Sequence, residues 1–465
     1  MLAISRIAVA LIISAAVLAT SQLFGGNHAT ARLILAVCLA IYVWMILECV
    51  TEHGERIFAL SAALFFVVII LVPGIFHCAA GAFPFYSKSY PDNLVNAGAT
   101  LMLAFTVPAA MTYIAFPKPK GSTPSREIAG CSASAATVAI FVLLAVSLAI
   151  FATRSSVFTL RRLDLGLVGE ASPVDLIVVG SARFGAFLAF LINAYLVLKV
   201  RKLGFIWLLP VTGAAAYLLN NPANIARFPL LALIICAIFV LFQTSTRGFK
   251  SLYASAYFIG LLTIFPLLSF YARGARGQQM ESGFSSYYIK SGDFDGLQSL
   301  INIAYWINQT GFKWGHQLLG SALVFIPRSV WPDKSEGTGG AAARYVGYPF
   351  TNISAPLPGE IYSDFGYIGV ILSGAIFGWI LTILDRKAAN KRRLSTILAL
   401  GMAAGFMPIL LRGSLIGVIG TTGLAILLGW LVGRIIERQP GRAPLGLRKG
   451  MSPFHSLRRP LPTRP

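Results

Sequence analysis

Long apolar stretches, separated by short polar or glycine- and proline-rich joints, recur along this chain from residue 5 to residue 436. They lie near 5–24, 31–50, 57–79, 95–116, 132–152, 174–198, 204–219, 229–243, 252–270, 366–384, 394–411 and 414–436. A helix needs about 20 apolar residues to cross the hydrocarbon core of a bilayer. Lipid offers no partner to a bare peptide group, so each stretch is predicted to be a helix. Several are shorter than a perpendicular crossing requires. The first, "IAVALIISAAVLATSQLF", is followed directly by another apolar stretch and not by a small-residue cleavage site. It reads as a retained first helix, not a signal peptide.

One interval breaks the rhythm. Residues 271–365 are mixed in character and carry seven basic and seven acidic side chains. Within them, "DGLQSLINIAYWIN" places Leu297, Leu300, Ile301, Ala304 and Tyr305 on one helical face. Such a helix lies on the bilayer or packs over the spans. "WGHQLLGSALVFIP" reads as a second helix or a re-entrant segment, ended by Pro327. The chain therefore divides into an N-terminal bundle of about nine helices (1–270), a large loop (271–365), about three C-terminal helices (366–437) and a basic tail (438–465). The tail is rich in Pro and Arg and is expected to be disordered. No internal repeat of fixed period is visible.

Composition supports the membrane reading. The chain is 56% hydrophobic and only 12% charged, against about 25% charged in soluble domains. Its mean hydropathy is +0.74. The fold class expected is an all-α polytopic integral membrane protein of about 12 transmembrane helices with one large extracytoplasmic loop containing short helices.

The net charge of +21 would suit nucleic acid, but its distribution does not. The excess lies in short loops and the tail, where Lys and Arg set topology and touch anionic lipid. With the N-terminus in the cytoplasm, 23 basic residues fall on inside segments and seven on short outside loops or outer helix ends. Both termini are then cytoplasmic, and 271–365 lies outside. Long loops escape the positive-inside bias, so the charges of this one are free for function. No nucleic-acid partner is expected.

The five cysteines lie in or beside apolar segments with no CxxC pair, and the five histidines are scattered. No metal site and no cofactor are indicated.

The remaining candidates are charges that membrane physics penalises. Arg183 lies inside "VDLIVVGSARFGAFLAFLINAYLVL". It contacts either an anion in a water-filled cavity or a polar group on a neighbouring span. Arg227 and Arg412 sit at outer helix ends, as interface snorkels or as ligand contacts. Counted with Arg273, Arg328 and Arg344 they map to one face, where spans can bring them around one vestibule. Guanidinium forks bind phosphate bidentately, which suits a lipid-linked diphosphate at headgroup level. Glu360, with Asp364 on the same helical face, offers a proton acceptor or simply a helix-start charge. His316 offers a general base or a packing residue.

The run "GSALVFIPRSVWPDKSEG", followed by "APLPGEIYSDFGYIGVILSGAIFGW", resembles the bacterial O-antigen and exopolysaccharide polymerases, the Wzy-type oligosaccharide repeat-unit polymerases. The likeness rests on Ile326, Pro327, Arg328, Trp331, Pro332, Lys334, Pro356, Gly359, Glu360, Tyr362, Phe365 and Gly366. It covers about a tenth of the chain in sharp form. Arg328 and Gly339 also fit a spacing of Arg, ten residues, then Gly, described for periplasmic loops of some members. No copy of that spacing starts at Arg273 or Arg276.

The resemblance implies a membrane-embedded, GT-C-like architecture in a bacterial inner membrane, with the large loop periplasmic. It implies a metal-independent, inverting glycosyltransferase acting on an undecaprenyl-diphosphate-linked oligosaccharide, with a chain-length regulator as a possible protein partner. Arg328 would stabilise the leaving diphosphate together with Arg227 and Arg412. Arg273, Lys334, Arg344, Arg183 and Tyr362 would be further substrate contacts. Glu360 or His316 would activate the acceptor hydroxyl. Two other functions stay open at this point: an O-antigen ligase, which shares the donor and would lean on a loop histidine such as His316, and a polysaccharide-related transporter or flippase.

Overall fold

The computed structural model describes residues 2–85, 90–117, 131–159, 173–264, 267, 289–391 and 393–437. Their main elements are α1 (Leu2–Ser21), α2 (Ala29–Thr51), α3 (Ile57–Ala80), α4 (Asp92–Ala115), α5 (Ala133–Thr153), α6 (Pro173–Leu198), α7 (Leu203–Leu219), α8 (Arg227–Leu241) and α9 (Arg247–Ile259). They continue with α10 (Gly296–Thr310), α11 (His316–Ala322), α12 (Thr338–Val346), α13 (Leu357–Ala389), α14 (Leu394–Arg412) and α15 (Leu415–Ile436).

The chain is an all-α polytopic membrane protein. All twelve apolar stretches fall on helices over their described parts. Nine of these, among the described residues, are long and apolar enough to cross a membrane: α1 to α6 and α13 to α15. The stretches 204–219 and 229–243 form the shorter helices α7 and α8, and α9 passes into a π-helical turn at Gly260–Ile264. The stretch 271–288, with Arg273 and Arg276, and the tail 438–465 lie outside the described residues.

α3 is the axis of the bundle, with 94% of its apolar window buried inside the protein. Outer helices instead turn large apolar side chains outward, such as Ile12, Val138 and Ile368, as lipid-facing surfaces require. Helix pairs are closed by small residues, since apolar side chains gain little by leaving lipid for each other. On α13, Gly374 and Gly378 lie against the backbone carbonyls of Phe105 and Ala109 on α4. On α14, Gly401 and Gly405 lie against Cys236 and the Ala232 carbonyl on α8.

The basic joints meet at one end of the bundle. Arg6 pairs with Glu52 at 2.6 Å, and the Lys250 ammonium reaches the carbonyls of Glu52 and Gly54 at 2.5 and 3.1 Å. Lys391 faces Glu55 at 3.8 Å, Arg386 donates to the Pro117 carbonyl at 2.8 Å, and Lys202 to the Cys131 carbonyl at 2.9 Å. Asp385 accepts from Phe58 N at 3.0 Å and so caps the start of α3. We call this the basic end.

At the other end, α10 to α12 form a cap. α10 is buried on nearly every side: Leu297 packs on Gly74 of α3 and Ile301 on Gly98 of α4. It packs over the spans and does not lie on the bilayer. Tyr305, expected on the same face, is 37% exposed and its ring meets Tyr345 at 5.7 Å. α11 stops at Ala322, five residues short of Pro327. α13 starts at Leu357 but bends at Gly366, whose φ of 61° and ψ of −158° belong to glycine. The bend falls at the position where the sequence predicts the span to begin.

Candidate functional site

The cap is pinned to the bundle by polar side chains that hydropathy alone cannot flag. Gln298 of α10 accepts from Phe85 N at 2.9 Å and donates to Phe85 O at 2.5 Å. Asn302, one turn on, accepts from Tyr90 Oη at 2.8 Å and donates to Tyr348 Oη at 3.1 Å. Asp295, fully buried, accepts from Ser354 N at 3.0 Å. These bonds hold Phe85, Tyr90, Tyr348 and Ser354 around α10, and a cavity of about 1060 Å³ is left between cap and bundle.

Five basic side chains line that cavity: Arg227, Lys290, Arg328, Arg344 and Arg412. Two acids, Asp293 and Glu336, line it too. Four of the arginines proposed from the sequence thus come together from three distant stretches of chain, around 227, 328–344 and 412. Arg227 is the first residue of α8. A cation there opposes the helix dipole, so helix stability does not explain it. Asp293 offsets it through a two-pronged contact, Nη1 to Oδ2 at 2.5 Å and Nη2 to Oδ1 at 2.7 Å. Arg412 ends α14, where the dipole favours a cation. It donates to the Gly292 carbonyl at 2.8 Å and to Asp295 at 3.1 Å, and its guanidinium lies 4.6 Å from the Phe228 ring centre. Arg344 pairs with Glu336 at the rim.

Arg328 is different. It has no acidic partner among the described residues. Two of its five N–H donors close a loop, reaching the carbonyls of Lys334 at 2.6 Å and Ser335 at 2.9 Å. No carboxylate among the described residues offsets its charge at the cavity, a position suited to recruiting an anion.

Lys334 lies outside the cavity. Only 8% exposed, it turns back to donate to the carbonyls of Val324 at 2.7 Å and Ile326 at 2.8 Å. Burial, and next the charge of Arg328, push its pKa below the ordinary lysine value. Arg328 and Lys334 form crossed latches over one loop. Lys334→Met leaves two carbonyls unsatisfied, at about 1–3 kcal/mol each. Amide exchange across 323–336 is expected to accelerate at least about tenfold; unchanged exchange would show that the latch holds nothing.

Glu360 is 1% exposed and sits behind the cavity wall. It accepts from Thr338 Oγ1 at 2.6 Å, Ser414 Oγ at 2.9 Å and Leu415 N at 2.8 Å. It therefore joins the starts of α12, α13 and α15, and Ser414 alone of these partners lines the cavity. Asp364 likewise caps α11, accepting from Gln317 N at 3.2 Å and Leu318 N at 2.8 Å.

The other predicted residues are placed elsewhere. His316 opens α11 with its ring 5.9 Å from Trp331 and does not line the cavity. Tyr362 is 4% exposed and donates to Asn308 at 3.3 Å. Arg183 is held inside protein: it pairs with the Asn224 side chain and lies 5.6 Å from the centre of the Phe158 ring. That is the structural partner on a neighbouring segment that the sequence left as one of two options. Arg273 lies outside the described residues.

The sequence reading missed Lys290, Asp293, Glu336 and Ser414 as lining residues. Asp293 and Glu336 are two of the loop's seven acids, and nothing local in the sequence ties either to a particular arginine. No family model, no curated protein and no solved structure matches the chain.

Proposed function

We propose that the chain is a polymerase that joins undecaprenyl-diphosphate-linked oligosaccharide repeat units at the periplasmic face of a bacterial inner membrane. The observation that carries this reading is the convergence of Arg227, Arg328, Arg344 and Arg412 on one cavity at the mouth of the bundle. A departing lipid diphosphate develops negative charge, and preorganised guanidinium groups stabilise such charge best. The motif resemblance around Arg328 and Glu360 supplies the reaction class.

In this reading twelve helices cross the membrane and the basic end faces the cytoplasm, as the positive-inside rule requires. The cavity then opens on the periplasmic side. Arg328 is the principal diphosphate contact and Arg227 and Arg412 the flanking ones. Glu360 orients the acceptor through the hydroxyl of Ser414, the group between it and the cavity. The position of His316 away from the cavity gives no separate support to a ligase reading.

The glycan profile of a strain lacking the protein tests the proposal. Single-repeat capping in place of a ladder is expected. Lipid-linked polymer that accumulates without transfer would mean a ligase instead. Complementation with Arg328→Ala should give no polymer with the protein still in the membrane, and Arg328→Lys should fail as well, because an ammonium cannot make the forked contact. Long-chain polymer in the deletion strain would overturn the assignment.

A further inference from the structure

The segment from Trp314 to Trp331 has exposed apolar side chains at a depth where solvent is not expected. Its level is fixed by α13. Beyond the bend at Gly366, that helix runs from Tyr367 to Ala389. At 1.5 Å per residue this arm is about 34 Å long, one bilayer crossing. Gly366 therefore marks the height at which the span leaves the hydrocarbon. The segment is tied to that height. Lys313 N donates to Ser363 O at 2.9 Å, and Trp314 N to Asp364 O at 3.1 Å. The Phe312 ring fills the space beside Gly366. Farther on, Val324 lies against Gly420 of α15, five residues and about 8 Å below the start of that helix.

Its side chains are sorted accordingly. Trp314, Phe325 and Val330 are 79%, 76% and 74% exposed. These values match the 75% of Ile368, the lipid-facing residue just below the bend. Four polar residues of the same region, Gln317, Ser321, Lys334 and Ser335, are buried on the protein side, while Arg328 and Ser329 are exposed among the apolar side chains, as polar groups at a headgroup boundary are. Irregular backbone survives at membrane depth only when its polar groups are satisfied by protein. Here Lys334 takes the carbonyls of Val324 and Ile326, Arg328 takes those of Lys334 and Ser335, and Trp331 N donates to Pro327 O at 3.1 Å.

We propose that Trp314–Trp331 is a re-entrant element seated in the headgroup boundary of the bilayer, with phospholipid as its partner, and that it holds Arg328 at the level of the lipid phosphates. This inference stands on the geometry of the cap and is independent of the proposed reaction. It is tested with a nitroxide at Phe325→Cys and, separately, at Val330→Cys, in nanodiscs of phosphatidylcholine and phosphatidylglycerol. The five native cysteines are all buried, so only the introduced thiol reacts. Ile368→Cys serves as the lipid reference and Asp333→Cys as the water reference. The ratio of oxygen to nickel-chelate accessibility at 325 and 330 is expected within about twofold of that at 368 and about tenfold above that at 333. Nickel access equal to that at 333 would make the segment a solvent loop. Exclusion of both reagents would mean that protein, not lipid, covers it. Either outcome overturns the inference.

Discussion

Arg227→Ala is expected to destabilise the protein by about 3 kcal/mol, because it takes a two-pronged charged contact from the Asp293 carboxylate, whose side chain is 9% exposed. Thermal unfolding in detergent, followed by the loss of monodisperse protein, measures it. The informative comparison is the double variant Arg227→Ala with Asp293→Asn, which removes the buried carboxylate charge along with the guanidinium that faces it. Most of the stability should return. Polymer formation should not return if Arg227 serves the diphosphate, because the cavity has still lost a cation. A double variant that regains both stability and polymer would reduce Arg227 to a strut.

Gly378→Leu is expected to abolish folded protein altogether. A Cβ at this position would stand 2.1 Å from the Ala109 carbonyl oxygen and 3.1 Å from Tyr113 N, both backbone atoms of α4 that cannot swing aside. The helices would have to part along their whole contact, which also includes Gly374 against the Phe105 carbonyl. Overpacking a yielding core costs about 1–3 kcal/mol; here nothing yields, so the cost exceeds that range. Fluorescence-detected gel filtration should show aggregate in place of the monodisperse peak. Gly423→Leu on α15, with no atom within 4 Å of the new Cβ, should elute as the parent protein does. Equal behaviour of the two variants would show that the α4–α13 contact is not what holds the bundle.

How much of this was legible in the sequence depends on the kind of signal. Apolar runs located every long helix, because the bilayer demands both helicity and apolarity and leaves little choice. The runs did not show where the shorter helices α7 and α8 end, since hydropathy measures composition and not where a helix is capped. Arg227, Arg328, Arg344 and Arg412 could be gathered on one face by counting crossings, and they share one cavity. Their partners could not be found that way. Asp293 is 66 residues from Arg227, and Asp295 is 117 from Arg412. Nothing local couples them. Lys334, expected as a substrate contact, and Glu360, expected as a proton acceptor or a helix-start charge, are both buried, because the cap has an interior of its own. Arg183 was flagged correctly as a costly charge, but its partner Asn224 lies beyond the next helix and leaves no trace in the pattern around 183.

The fastening of the cap has a kinetic consequence. Arg412 and Ser354 share Asp295, Thr338, Ser414 and Leu415 share Glu360, and Phe85 is bonded twice to Gln298. A cap bolted at so many points does not swing open to admit a ligand, and little ordering entropy is left to lose on binding. For a lipid-linked diphosphate bound as proposed, the binding-competent state would then be the resting state, with no reduction of affinity from a scarce open form. Capture of an anion should run close to the encounter rate and slow steeply with ionic strength, as long-range steering does.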